Sequence, residues 1–180
     1  ANGSGKSTLL AVLARHLDPT AGRYLVAGVD ARGLDLESVR RLLAVVDDEP
    51  HVFASTLRAN LLVAAPEATD DSLRAALSGA GLGPWFDGLA DGLDTRLGAG
   101  GRGISGGERA RLGLARALAS QRPVILLDEP VAHLDHATAM AILADLTDAT
   151  TGRTVVMISH RPDGLAGFDD ILDLTPSAHR

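Results

Sequence analysis

A run of four apolar residues, Val124-Ile125-Leu126-Leu127, constrains the fold of this chain more than any other feature. A strand without a polar face must be covered on both sides, as happens in a parallel sheet. Two further apolar runs occur at 43–46 and 154–158, and stretches with helical spacing lie between the three runs. Strands that alternate with helices predict the α/β fold class, with a mostly parallel central sheet.

The rest of the pattern predicts elements around this sheet. Residues 55–120 are mainly helical, with a break at Pro66, and we expect them to form an inserted helical subdomain. A glycine-rich stretch over 79–103 is expected to hold loops and short helices. Further helices are expected at 9–17, 38–43, 107–120 and 137–149, and further short strands at 24–27 and 171–174.

Composition limits the class of protein. The chain has 180 residues, 46% of them hydrophobic, which suits one globular domain with a substantial core. The net charge of −6 argues against nucleic acid as a partner, and the lack of cysteine excludes disulfides and thiolate metal sites. No apolar run reaches the about 18 residues of a membrane-spanning helix. Because the chain begins at Ala1 without a methionine or signal region, we expect an N-terminally truncated fragment.

A glycine-rich segment at the start of the chain has the spacing of a phosphate-binding loop. Such a P-loop reads G-x-x-x-x-G-K-[ST], and Gly5-Lys6-Ser7 match its end. The loop amides point at phosphate oxygens, the lysine reaches the β/γ-phosphates, and the serine hydroxyl binds Mg²⁺. The alternative is a glycine-rich turn before an ordinary helix. The candidate ATP-binding residues are Asn2, Gly3, Ser4, Gly5, Lys6, Ser7 and Thr8.

Two acids, Asp128 and Glu129, directly follow the apolar run. A buried parallel strand that ends in two acids places both at the carboxyl edge of the sheet, where open α/β sheets bind ligands. There Asp128 can bind Mg²⁺, and Glu129 can accept a proton from an attacking water. By itself the pair favours the alternative, two acids at a solvated strand end. The preceding P-loop favours the functional interpretation.

A third segment, Ser105-Gly106-Gly107-Glu108, lies at the start of a predicted helix. Free amides and the helix dipole point outward at such a position, which favours bound anions. An ordinary serine cap is the alternative, although two consecutive glycines cost helix stability and are not needed for a cap.

In this order, the three segments resemble the nucleotide-binding domain of ABC transporters, a P-loop NTPase fold, over nearly all of residues 1–180. Ser105 to Glu108 are similar to the signature L-S-G-G-Q of that family. The resemblance implies an ATPase that uses ATP and Mg²⁺ and pairs with a second nucleotide-binding domain. It also implies that the signature completes the partner's ATP site rather than the site of this chain.

The resemblance assigns further roles by position. Leu134-Asp135 match the loop at the dimer seam, and His160, which follows the run 154–158, matches the switch histidine that contacts the γ-phosphate. Glu129, His160 and Lys6 are thus the expected catalytic residues, and Ser7, Asp48 and Asp128 the expected metal ligands. Asp48 stands where the family has a glutamine near Mg²⁺ and the attacking water, which adds negative charge beside the γ-phosphate.

Two segments, 91–95 and 49–61, resemble exporters, and in the family the second lies near the coupling helices of the membrane part. Asp48 together with residues 101–111 and 130–136 is similar to one half of the heterodimeric thiol-reductant exporter needed for cytochrome bd assembly. This implies export of cysteine or glutathione, a transmembrane domain upstream in the same chain, and a place on the cytoplasmic face of the bacterial inner membrane. Two alternatives stay open, namely a degenerate regulatory nucleotide-binding half and a soluble ABC ATPase outside transport.

Overall fold

A computed structural model describes residues 5–99, 103–161 and 164–174. Its central sheet has three parallel strands in the order β3-β4-β5, which are Leu43–Val46, Val124–Asp128 and Thr154–Ile158. Leu43 pairs with Val124, and Val124 pairs with Thr154. The strands are joined through helices, so the predicted α/β class with a parallel sheet is confirmed.

The middle strand β4 is buried on both faces, as its sequence predicts. Ile125, Leu126 and Leu127 are at most 1% exposed. Leu126 packs with residues of the first helix, whereas Ile125 and Leu127 belong to the larger core on the other face. The strand β5 is less buried than β4: Thr154 is exposed, its middle residues are half-buried, and no described strand pairs with its outer edge.

Seven α-helices surround the sheet in the described residues. The helix α1 packs against β4 and β5 on one face, and α6 and α7 contribute to the core on the other. Layers of helices on both faces exclude water from a strand as apolar as β4. The helices are α1 Lys6–Leu13, α2 Leu36–Arg40, α3 Leu57–Leu62, α4 Asp70–Gly79, α5 Gly83–Asp87, α6 Gly106–Ala119 and α7 His136–Ala149.

The helices before α6 form a compact group. Both α3 and α4 pack against α6, and their leucines Leu61, Leu73 and Leu77 are fully buried. The loop between α3 and α4 contains Pro66, as predicted, because proline cannot continue a helix through its missing N–H. The core of this group is continuous with that of the sheet through α6. The division into a separate helical subdomain over 55–120 stays a prediction.

Two local predictions were wrong, and a third was confirmed. The first helix ends at Leu13 rather than 17, because the chain turns there and Arg15 has a φ of +55°. Residues 171–174 form no strand in the described structure, since no neighbouring strand is present to pair with them. The short strand expected at 24–27 is present as β1 (Leu25–Val26), which pairs with β2 (Val29–Asp30) in an antiparallel hairpin.

The helix α6 approaches the loop after β3 very closely at Gly113. A Cβ at this position would lie 2.5 Å from Pro50 Cγ, so only glycine fits here. Two turns further along the chain, α6 ends at Ala119 just before β4. The glycine therefore lets the signature helix pack directly onto the loop that carries Asp48.

None of the helices in the ranges described above is long and apolar enough to cross a membrane.

Candidate functional site

The candidate site lies at the carboxyl edge of the sheet, where β4 and β5 end. Asp128 is the last residue of β4, Glu129 follows it, and His160 lies two residues beyond β5. The Glu129 amide donates to the Ile158 carbonyl at 3.0 Å, which holds the two strand ends together. The parallel pairing of β4 with β5 therefore brings together residues that are distant in the sequence, as the predicted site requires.

Glu129 and His160 form a close pair. Glu129 Oε1 lies 2.6 Å from His160 Nε2, and both side chains are partly exposed. Glu129 has a φ of +48°, a left-handed conformation that costs a residue other than glycine about 1 kcal/mol or more. Strain of this kind persists only where the surrounding structure imposes it.

The surroundings of Asp128 disfavour the ionised form of its carboxyl group. Burial raises the pKa of its carboxyl group, and the negative charges of Glu129, Asp48 and Asp47 raise it further, while His160 partly offsets them. A cation bound beside Asp128 would relieve this repulsion. The electrostatics therefore fit a site for a divalent cation, which carboxylate oxygens favour.

This pKa shift leads to a prediction for the protein without metal or nucleotide. Because the pKa of Asp128 lies above its ordinary value of 3.8 in the folded state, the charged carboxylate destabilises the fold at neutral pH. Asp128→Asn should then raise the free energy of unfolding on the order of 0.5 kcal/mol at pH 7. The gain should disappear below pH 3.8, where Asp128 is protonated in both states. Urea unfolding at pH 7 and pH 3.5 tests this, and a loss of stability at pH 7 would contradict it.

The end of the predicted P-loop lies at the N-terminus of α1. Gly5 has a φ of +85° and precedes the helix, and Lys6 and Ser7 form its first turn. The amides of a helix's first turn point outward and can bind an anion. Lys6 also lines a groove of about 400 Å³ along β5, together with Ser159. The predicted residues Asn2, Gly3 and Ser4 lie outside the described residues.

Asp48 lies in the loop after β3, near the same edge of the sheet. Its Oδ2 is 3.6 Å from His133 Nε2, and its charge contributes to the raised pKa of Asp128. The structure therefore brings Asp48 toward the site, as expected. His133 was not singled out from the sequence as a site residue, because a histidine in a loop carries no signal until its neighbours are known.

The signature segment begins helix α6, and the structure gives it a capping box. Ser105 Oγ accepts from the Glu108 amide at 3.2 Å, and Glu108 Oε2 accepts from the Ser105 amide at 2.6 Å. Ser105 and Gly106 are exposed. The cap considered as an alternative is thus present, and the exposed face leaves the segment accessible to another molecule.

Asp135 is the N-cap of α7. Its Oδ1 accepts from the Thr138 amide at 3.0 Å, and this hydrogen bond lowers the pKa of Asp135 below its ordinary value. The side chain is exposed. Asp135 therefore has a local role that the sequence analysis did not assign, and its place at a dimer seam stays a prediction.

The chain is similar to known proteins. Residues 1–132 match the profile of the family described as ABC transporter. IrtB of Mycolicibacterium thermoresistibile, named as a mycobactin import ATP-binding/permease protein, is 42% identical over 95% of this chain and 30% of its own length. CydC of Escherichia coli, named as a glutathione/L-cysteine transport system ATP-binding/permease protein, is 41% identical over 94% of this chain and 29% of its own length.

One solved structure has the same fold. It is described as a bacterial Atm1-family ABC exporter with ATP bound, and it superposes with a TM-score of 0.83 at 33% identity. The match covers 92% of this chain and 29% of that one. This chain therefore spans about 30% of the length of the curated relatives and the solved structure that it matches.

A helix-covered parallel sheet, a glycine with positive φ before α1 and acids at the end of β4 are features of a P-loop NTPase. The chain belongs to the ABC transporter family, as an ATPase domain. The predicted family, fold class and ATPase class are thereby confirmed. The roles of individual site residues stay predictions.

Proposed function

We propose that this domain binds ATP with Mg²⁺ and hydrolyses it to drive transport through the membrane part of an exporter-type ABC protein. The observation that carries the proposal is the Glu129–His160 pair, 2.6 Å apart at the sheet edge beside Asp128. A carboxylate and an imidazole fixed at this distance can position a water and a phosphoryl group relative to each other.

The phosphates would be held at the start of α1. Lys6 supplies a positive charge to the β/γ-phosphates, and the first amides of the helix donate hydrogen bonds. Mg²⁺ would be held by Ser7, Asp48 and Asp128 and would neutralise charge on the phosphates. In the described residues no three histidine or acidic side chains converge tightly enough to bind a metal alone. A nucleotide-bound ion that takes further oxygens from ATP is consistent with that arrangement.

Glu129 acts on the attacking water in this proposal. Its carboxylate accepts a hydrogen bond or a proton from the water, and His160 holds the γ-phosphate so that attack is in line. The contact with His160 supports this role, because it holds the Glu129 carboxylate at the sheet edge. Little covalent chemistry is required of the protein, so positioning supplies most of the catalysis.

A second nucleotide-binding domain is the proposed partner, in a head-to-tail dimer. Ser105, Gly106 and Gly107 then contact the partner's ATP, and Asp135 lies at the seam. The exposure of Ser105, Gly106 and Asp135 supports this arrangement. We propose a heterodimer, because Asp48 replaces the family's glutamine and makes this site unlike a standard one.

The membrane part would dock in a groove of about 290 Å³ between the loop after β3 and α6. Large apolar side chains are exposed along it, with Phe53 at 45% and Val63 at 61%. Phe53 also belongs to the segment 49–61, which resembles the exporter segment near the coupling helices. Docking here places the domain on the cytoplasmic face of the membrane.

ATP turnover by the complete transporter tests the function, and Asp48→Gln tests the alternative of a degenerate regulatory site. If Asp48 only perturbs the metal, the wild-type transporter hydrolyses ATP and Asp48→Gln changes kcat by less than about tenfold. The measurement is phosphate release with Mg²⁺, and the exposed Asp71→Asn serves as control. An inactive wild-type site that Asp48→Gln activates by a hundredfold would support the degenerate, regulatory alternative.

The proposed cargo is cysteine or glutathione. Relatives named for glutathione and L-cysteine match at 41% and 39% identity, and relatives named for mycobactin match at 42% and 40%. Identity in the ATPase domain thus does not separate the two cargoes, and the proposal relies on Asp48 and residues 130–136. Inside-out vesicles should take up labelled cysteine or glutathione when ATP is supplied. ATP-dependent movement of a siderophore instead would refute the cargo and leave the ATPase intact.

A further inference from the structure

Arg161, which follows His160, reaches across the site to the loop between β4 and α7. Its Nη2 donates to the Leu134 carbonyl at 2.9 Å and contacts the Ala132 carbonyl at 3.5 Å. This β4–α7 loop, residues 129–135, carries Glu129 at one end and Asp135 at the other. One side chain therefore connects the segment of His160 to the far end of the loop.

The backbone around Arg161 is fixed by the preceding serine. Ser159 Oγ accepts from the Arg161 amide at 3.0 Å and donates to the Arg161 carbonyl at 3.0 Å. These two bonds close a tight turn that holds residues 159–161. His160 and Arg161 consequently leave the end of β5 with a defined relative orientation.

Among the described residues, the other hydrogen bonds and ion pairs between this loop and the β5 segment lie at the near end of the loop. The Glu129 amide donates to the Ile158 carbonyl, and the Glu129 carboxylate lies next to His160. Within the loop, the Ala132 amide donates to the Glu129 carbonyl and the Leu134 amide to the Val131 carbonyl. These bonds are local, and the far end of the loop is otherwise held by α7, whose N-cap is Asp135, and by the packing of Leu134 against the core.

We propose that Arg161 is a positioning residue, which sets the position of Asp135 relative to the Glu129–His160 pair. A partly buried guanidinium suits this task, because its planar donors fix main-chain carbonyls in direction as well as distance. Loss of these bonds leaves Glu129 and His160 in place but lets the loop shift at Leu134. This inference rests on the proposed function, since it concerns where the two halves of an ATP site meet.

Steady-state ATP hydrolysis by the complete transporter tests the role, with wild type, Arg161→Met, Arg161→Lys and the exposed Arg41→Ala as control. Methionine keeps the apolar stem and removes every donor. We expect Arg161→Met to lower kcat about tenfold with KM within about twofold, and Arg161→Lys to retain an intermediate kcat. The loop is proposed to act through Asp135. Asp135→Ala should therefore lower kcat by a smaller factor in the Arg161→Met background than in the wild type.

A kcat of Arg161→Met within twofold of wild type would overturn the role of Arg161. Fully multiplicative losses of kcat in the double variant would also overturn this role. They would show that Arg161 does not act through Asp135 and the β4–α7 loop. An inactive wild-type transporter would instead refute the proposed function. The melting temperature of each variant is measured alongside. If Arg161→Met is unstable, the kcat of Arg161→Lys tests the role instead, and a value equal to that of wild type would overturn it.

Discussion

Glu129→Gln is expected to retain ATP binding and to lose about a hundredfold or more in kcat. The amide is nearly isosteric, so it can still contact His160, but it cannot accept a proton from the attacking water. Acid–base groups of this kind contribute on the order of 10²- to 10⁴-fold to a rate. Phosphate release and ATP binding, both measured on the complete transporter, separate the loss of chemistry from the loss of affinity.

Glu67→Gln provides the matched control for this experiment. Glu67 is an exposed acid in the loop between α3 and α4, away from the sheet edge, and its substitution should leave kcat within about twofold. The assignment of Glu129 fails if Glu129→Gln turns over ATP within about twofold of wild type. A large loss of ATP affinity with an unchanged kcat would point to a binding role instead.

The second large effect is expected at Asn60, a fully buried polar residue of α3. Its side chain accepts from the Phe53 amide at 2.9 Å and from Arg116 Nη2 at 2.7 Å. It also donates to the Phe53 and Thr56 carbonyls. Arg116 Nε reaches the Asn60 carbonyl too, and burial lowers the pKa of Arg116. Asn60 thus satisfies most of the polar groups between α3, α6 and the loop after β3.

Asn60→Ala should destabilise the domain by about 3–5 kcal/mol, because it leaves several buried groups without partners at about 1–3 kcal/mol each. Urea unfolding measures the free energy directly. Val63→Ala, at the 61% exposed position just after α3, should cost less than about 0.5 kcal/mol. Asn60→Asp keeps the acceptor for Arg116 and should lose less than alanine. A loss below 1 kcal/mol for Asn60→Ala would contradict this account.

Part of the site could be predicted because its residues lie at fixed positions relative to strands. Glu129 follows the apolar run of β4 and His160 follows β5, so a parallel sheet alone places them on one edge. The role of His133 beside Asp48 and the bonds of Arg161 could not be predicted, since they depend on how the β4–α7 loop folds back. The first contact joins two side chains from separate loops and the second joins a side chain to a main-chain carbonyl, and neither follows a local sequence pattern.

The sequence by itself determined the elements whose requirements are local. Four apolar residues in a row need cover on both faces, and Ser105 with Glu108 forms a cap from neighbouring residues alone. Tertiary structure alone decided that residues 171–174 form no strand and that Asn60 is paired with Arg116, 56 residues away. A strand needs a neighbour, and a buried amide needs partners. Both come from the path of the chain, whereas burial and capping are properties of a short segment.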